Sequence, residues 1–261
     1  MGKVVAFASG KGGVGKTTLA ANIGAALAQM DKKVLLIDLD IGLRNLDLVM
    51  GLQSVIVYDL MDVYEGKIDL FEASYRFNEY GELYFLPASQ TVDKEDLDRE
   101  LFGKLINRIK DKFDYIILDC PAGIETGLKN ALSVSDIMVV TVNPDYASLR
   151  DADKAVSVAE EYGIKKYYTL INRFNIKLIR KGLAPNVDTM LEKIGIGLLG
   201  IIDEDLEFLK SVNGGNLILN SKNKKLTKLI KNCAKRLTGE EIPIKIKWKA
   251  YKNVLNASSE V

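Results

Sequence analysis

Histidine is absent from this chain of 261 residues, and cysteine nearly so. The first absence excludes imidazole acid–base chemistry. The two cysteines, Cys120 and Cys233, stand far apart with no C-x-x-C spacing, which argues against a disulfide framework, a zinc site or an iron–sulfur cluster. Excess charge is missing too: 36 Lys and Arg against 35 Asp and Glu leave a net +1, so any basic surface has to be local. No apolar stretch is long enough to cross a bilayer, and the chain enters a strand-like segment at once, so a signal peptide is not expected. Internal repeats and low-complexity segments are also lacking. What is there, 48% hydrophobic residues, suffices for a full core, and one domain is favoured over two.

The most informative segment is Gly10-Lys11-Gly12-Gly13-Val14-Gly15-Lys16-Thr17-Thr18. It matches G-x-x-x-x-G-K-[ST], follows the apolar run Val4 to Ala8, and precedes an alanine-rich helical pattern from Thr17 to Gln29. Glycines there let backbone N–H groups wrap an anion, and a helix amino terminus adds partial positive charge. Lys16 is then expected to reach the β- and γ-phosphates of a nucleotide, and the Thr17 hydroxyl to ligate Mg²⁺. Lys11 is surplus to that cradle.

Short continuous apolar runs recur at residues 33–38, 83–86, 115–119, 137–142, 167–171 and 197–202, as suits strands buried on both faces. Helix-like spacing occupies 94–110, 148–162, 188–194 and 203–212, and a basic helix from Ser221 to Leu237 ends at Gly239. The alternation predicts a mostly parallel twisted α/β sheet flanked by helices on both faces, the P-loop NTPase arrangement, with its site at the carboxyl ends of the strands. Acidic residues fall at those ends. Asp119 closes a buried strand and is the candidate metal-holding carboxylate; Asp40, in the loop after the second strand, is the candidate for orienting the attacking water. Asp38 either helps hold the metal or water, or caps the strand end through backbone hydrogen bonds. Cys120 beside them reads as a small buried filler rather than a nucleophile. Pro121 and Gly123 are expected to shape a movable loop.

The loop resembles the deviant Walker A motif K-G-G-x-G-K-[ST] of the MinD/ParA group of P-loop ATPases. Asp38-Leu39-Asp40-Ile41-Gly42-Leu43-Arg44-Asn45-Leu46-Asp47 is similar to the switch I stretch of the MinD branch, and Asp119-Cys120-Pro121-Ala122-Gly123 to the group's Walker B and switch II segment. The resemblance extends over roughly residues 1 to 210. It implies ATP and Mg²⁺ as cofactors, slow intrinsic hydrolysis, and a dimer formed with ATP and not ADP, in which Lys11 crosses to the partner's nucleotide. Ile171-Asn172-Arg173 looks like an adenine-contacting loop, with Asn172 as the base reader. Arg150, Asp151 and Asp153 resemble the surface that meets partners, although acidic residues on an exposed helix are also commonly only solvated. The implied role is placement of the division septum, with MinC-like inhibitor and MinE-like activator partners, by a cytoplasmic protein reversibly peripheral on the inner face of the cell membrane.

An ATPase domain over 1–239 is expected to be followed by a tail over 240–261. Drawn as a helix, the tail sets Trp248, Tyr251, Val254 and Leu255 on one side and Lys249 and Lys252 towards the other, as a membrane-targeting amphipathic segment would on anionic lipid. Against this, Lys247 falls in the apolar sector and residues 244–248 alternate with period two, so an edge strand or a packed or disordered tail also fits. Two further readings remain: a ParA-like partition ATPase gripping DNA through Lys222 to Arg236, and a scaffold for a protein cargo.

Overall fold

The computed structural model describes residues 2–42, 44–52, 55–89 and 97–244. The chain runs β1 (Lys3–Ala8), α1 (Lys16–Ala28), β2 (Val34–Asp38), α2 (Asn45–Met50), α3 (Leu60–Tyr64), α4 (Leu70–Ala73), β3 (Tyr75–Arg76), β4 (Leu83–Leu86), α5 (Arg99–Ile109), β5 (Tyr115–Asp119) and α6 (Thr126–Leu132). It continues through β6 (Ile137–Val142), α7 (Tyr146–Glu161), β7 (Tyr167–Phe174), α8 (Ile176–Arg180), α9 (Val187–Ile194), β8 (Gly197–Asp203), α10 (Leu206–Asn213) and α11 (Lys224–Thr238).

The strands form one sheet in the order β3-β4-β2-β5-β1-β6-β7-β8. Every neighbouring pair is parallel except β3 with β4, a two-residue antiparallel edge that the sequence pattern did not predict. The expected mostly parallel α/β sheet covered on both faces is thus present. Alternate residues of each central strand enter different cores: Val4, Ala6 and Ala8 lie on one side with Ile116, Leu118, Met138 and Val140, and Val5 and Phe7 on the other with Ile117 and Val139. Burial on both faces is why these strands read as unbroken apolar runs.

Helix α1 sits inside its layer, in one apolar cluster with α11, whose Leu226, Ile230, Cys233 and Leu237 are buried. Small residues help here: a Cβ on Gly24 would stand 2.6 Å from Leu36 Cδ2 and 3.2 Å from Ile117 Cδ1, so glycine lets the helix lie this close to β2 with neither side chain displaced. The last described residues stay on the domain, because the Arg236 guanidinium donates to the carbonyls of Leu199, Ile242 and Pro243.

Helix starts differ from the expected ones for a common reason. Asp98, Asp145, Asn186, Asp205 and Asn223 each accept a backbone N–H of the following turn, and α5, α7, α9, α10 and α11 begin directly after them. Of the helix expected over 94–110, residues 94–96 lie outside the described ones. Strand β7 runs on to Phe174, so Asn172 and Arg173, expected in a loop, are its carboxyl end.

Candidate active site

Strand order brings the chemistry together. β1 lies between β5 and β6, with β2 beyond β5, so the carboxyl ends of β1, β2 and β5 meet at one place, where Asp38 and Asp119 are cross-strand neighbours and Phe7 pairs with Asp119. From β1 the chain passes through Gly10 to Gly15 into α1. Gly13 and Gly15 take φ of 76° and 89°, the left-handed region that favours glycine. No side chain caps α1, whose preceding residue is Gly15, and its first turn carries no acidic residue, so its amino-terminal N–H groups suit an anion.

The loop is held from two sides. A Cβ on Gly10 would fall 2.4 Å from the backbone of Asp151 in α7, and one on Gly15 would fall 2.3 Å from Asn172 Nδ2. That same carboxamide nitrogen donates to the Val14 carbonyl at 2.7 Å, in a buried hydrogen bond. Asn172 therefore braces the phosphate loop from the end of β7, while Arg173 is exposed with φ 51°.

Lys16 and Lys11 have different surroundings. The Lys16 ammonium is buried 2.6 Å from Asp119 Oδ1 and 3.4 Å from the Thr17 hydroxyl. Burial pushes its pKa down, but the Asp119 carboxylate outweighs this and the net shift is upward. Burial raises Asp119 as well, against the opposing charge of Lys16. Asp38 is raised to about 7 by burial, with the Asp119 charge adding and the N–H groups of Asp40 and Leu46 opposing. Those two N–H groups occupy both Asp38 oxygens, at 2.9 and 3.1 Å, so the strand-end cap is made. Asn45 Nδ2 reaches Asp40 Oδ2 at 3.3 Å, and Arg44 Nε pairs with Asp47 Oδ2 at 2.8 Å, both at the start of α2. Cys120 is wholly buried, its thiol pushed up to about 12 by burial, which suits the filler reading.

The donor set fits Mg²⁺. Asp119 Oδ2 is buried and accepts no hydrogen bond, the Thr17 hydroxyl lies beside the same ammonium as Asp119, and both are hard oxygen donors. No group of three or more His, Cys, Asp or Glu side chains suited to a metal occurs among the described residues. Mg²⁺ needs none, since it usually takes one or two protein ligands and completes its shell with phosphates and water.

Lys11 is turned to α7, with its ammonium 3.0 and 3.2 Å from the two Asp145 oxygens. On the outer face of α7, Arg150 and Asp153 are exposed and help line a cavity of about 440 Å³ with Tyr146, Leu149 and Lys193. Asp151 is half-buried against Gly10, with Arg150 Nε 3.7 Å away. The structure thus groups Arg150 with Asp153 and sets Asp151 nearer the loop. Trp248, Tyr251, Val254 and Leu255 lie outside the described residues. Among the described residues, no helix is long and apolar enough to cross a membrane.

Four residues escaped the sequence reading. Asp145 carries a readable signal, an Asp directly before a helical pattern. Tyr146, in that helix's first turn, and Asn45, inside a stretch already singled out, carry no separate one. Lys193 reaches the α7 surface from α9, which only the fold brings there.

A family described as an AAA domain matches residues 2–161. The septum site-determining protein MinD of Bacillus subtilis is 41% identical over 248 residues, covering 94% of this chain and 92% of that protein. The MinD of Escherichia coli K12 is 38% identical over 254 residues, with 94% of each covered. In the solved MinC:MinD cell division protein complex of Aquifex aeolicus, the matching chain has a TM-score of 0.86 and 39% identity, covering 94% of this chain and 98% of that one. MinD of Pyrococcus horikoshii complexed with Mg-ADP has a TM-score of 0.80 at 28% identity, covering 93% and 100%. Together with a deviant Walker A loop in P-loop geometry and the carboxylates ranged beside it, these likenesses place the chain in the MinD family of septum site-determining ATPases.

Proposed function

We propose that this protein is an ATP-switched, dimerising ATPase that regulates division-septum placement from the membrane surface. The observation that carries this reading is the divergence of the two loop lysines. Lys16 is buried on Asp119 where phosphates would be neutralised, whereas Lys11 of the same loop stands partly exposed and pairs with Asp145 at the start of α7. A second cation placed this way serves a second subunit better than its own phosphates.

In this scheme the Gly10–Thr18 backbone and Lys16 bind the phosphates. Asn172 holds the loop through Val14 and directs its remaining carboxamide polarity to the base, with Arg173 alongside. Asp40, steadied by Asn45, orients the attacking water; Asp38 keeps that switch segment in place through its backbone N–H groups. Thr17 and Asp119 would hold Mg²⁺, with Asp38 behind them, and the ion would offset phosphate charge. Lys11 adds charge stabilisation only when two subunits meet, which makes association depend on the nucleotide and intrinsic turnover slow.

A MinC-like inhibitor is the partner best supported, through the likeness to the MinC:MinD complex; a MinE-like activator accords with the family resemblance. The α7 face around Arg150, Asp151 and Asp153 is the proposed docking surface. The segment over 240–261, carrying Trp248, Tyr251, Val254 and Leu255, would set the dimer reversibly on anionic lipid at the inner face of the cell membrane, two weak anchors acting as one firm one. Size-exclusion chromatography of the intact protein and of Lys11→Ala, each with ATP and with ADP, tests the switch. A dimer with ATP alone, lost in Lys11→Ala, is expected, and absence of an ATP-dependent dimer in the intact protein refutes it. Anionic vesicles should pellet the intact chain with ATP more than Trp248→Glu; equal pelleting removes the anchor.

A further inference from the structure

Helix α11 carries a row of cations that the phosphate site does not use. Lys224, Lys228, Lys231 and Lys235 recur at helical spacing, which sets them within about 60° on one side of the helix and along about 16 Å of its length. That side lies opposite the buried Leu226, Ile230, Cys233 and Leu237, so the row points away from the sheet. The first three lysines are exposed, and Lys235 is half-buried with Glu240 Oε2 3.7 Å away.

Folding does not account for this arrangement. The helix holds no acidic residue, and its first turn carries Lys224 and Lys225, where the positive end of the helix dipole disfavours cations. Neighbours in the row repel one another at i,i+3 and i,i+4. Elsewhere the chain sets opposite charges at those spacings, Glu100 with Lys104 in α5 and Glu207 with Lys210 in α10. Lys225 has Asp203 as its partner, but among the described residues Lys224, Lys228 and Lys231 form no ion pair. Uncompensated charge that weakens its own helix suits an external anion.

We infer that the outward face of α11 is a lipid-contacting surface, a row of ammonium groups that lies along the anionic headgroups of a membrane. This rests on the membrane reading above and extends it from the tail to the folded domain. A straight row meets a flat surface at every position, whereas the phosphates of a nucleic-acid duplex wind away from a straight line. The row also runs into the proposed anchor, since Lys235 meets Glu240 at the start of the 240–261 segment. The helix's one arginine, Arg236, is the side chain that could fork a single phosphate, and it is taken up by the carbonyls of Leu199, Ile242 and Pro243. Each lysine close to an anionic surface strengthens binding about five-fold. Because α11 lies outside the nucleotide site, the row acts with ATP or ADP, and dimerisation doubles it.

The full chain carrying Lys224→Gln, Lys228→Gln and Lys231→Gln together tests this, because glutamine keeps helix propensity while removing the charge. Sedimentation with vesicles of phosphatidylcholine and phosphatidylglycerol, with ATP at low salt, should give a partition coefficient at least about a hundred-fold below that of the intact chain. Its salt dependence should flatten, while the ATP-dependent dimer on size-exclusion chromatography stays unchanged. The matching triple arginine variant keeps the charge and should bind as the intact chain does. Equal partition of the intact chain and the glutamine variant overturns the inference and leaves the tail anchor standing; so does an arginine variant as weak as the glutamine one. A loss of equal size on phosphatidylcholine alone overturns it too, because no anionic headgroup is there. If the intact chain retains duplex DNA and the glutamine variant releases it with lipid binding unchanged, the row belongs to nucleic acid and the inference falls. An intact chain that never pellets with anionic vesicles overturns both the row and the membrane reading.

Discussion

Lys16 Nζ lies 2.6 Å from Asp119 Oδ1, with the two side chains 7% and 1% exposed. Each group makes the other's burial tolerable: an ammonium from the first turn of α1 and a carboxylate from the end of β5. Removing one partner leaves an uncompensated buried charge, so Asp119→Ala should lower folding stability by about 3–5 kcal/mol in urea titrations. The double variant Lys16→Met with Asp119→Leu removes both charges and should recover most of that loss. Equal losses in the single and double variants would show that the pair does not govern the stability of this corner.

Glycine substitutions in the loop should separate by neighbour rather than by position. A Cβ on Gly10 would overlap the Asp151 backbone, which cannot yield as a side chain would, whereas one on Gly12 meets nothing within 4 Å. Gly10→Ala should cost about 1–3 kcal/mol as α7 is forced off the loop, while Gly12→Ala should change folding by less than about 0.5 kcal/mol. Thermal unfolding of both variants checks this; indistinguishable midpoints would contradict the close approach of α7.

Asn172→Ala should loosen nucleotide binding without unfolding the protein. It deletes the 2.7 Å hydrogen bond to Val14 and leaves a buried carbonyl without its partner, at a cost of about 1–3 kcal/mol. Because that carbonyl belongs to the phosphate loop, ADP affinity measured by calorimetry should fall together with stability. Unchanged ADP affinity would limit Asn172 to a packing role.

The cysteines set an alkaline limb. Burial holds the thiols of Cys120 and Cys233 up to about 12, from an ordinary value near 9, against the nearby charges of Lys16 and Arg236 respectively. Between pH 9 and 12 the unfolded chain has released thiol protons that the folded chain keeps, so stability falls as pH rises through that window and is unaffected by these groups below it. Replacing Cys233 with alanine should flatten the slope, whatever it does to stability at neutral pH. A slope identical to that of the intact protein would mean that the thiol is not buried as described.

The first strand, the phosphate loop and the helix after it were legible because their signals are local. Gly15 and Lys16 stand at a spacing set by loop closure, and Leu19, Ile23 and Leu27 recur at helical spacing. The central strands were legible because burial on both faces leaves a run such as Val34-Leu35-Leu36-Ile37 no polar residue. By contrast, α2, α3, α4, α6 and α8 are each shorter than eight residues, too brief for a helical period to separate from chance. Strand β3 has two residues and exists only because β4 offers it an edge. Asp38 was left between metal holder and strand cap, and the backbone of Asp40 and Leu46 fills both its oxygens.

What the amino-acid sequence determined by itself was the chemistry: a phosphate-binding loop with a surplus lysine, carboxylates at strand ends, no imidazole, and the family to which these belong. Each is carried by residues within a few positions of one another, where backbone geometry leaves little choice. What only the tertiary structure decided was which distant groups meet. Lys16 finds Asp119 because β5 lies beside β1; Asn172 reaches Val14 because β7 ends beside the loop; Lys11 finds Asp145 because Gly10 lets α7 approach. Strand order and close packing join residues more than a hundred positions apart, and no spacing along the chain encodes that adjacency.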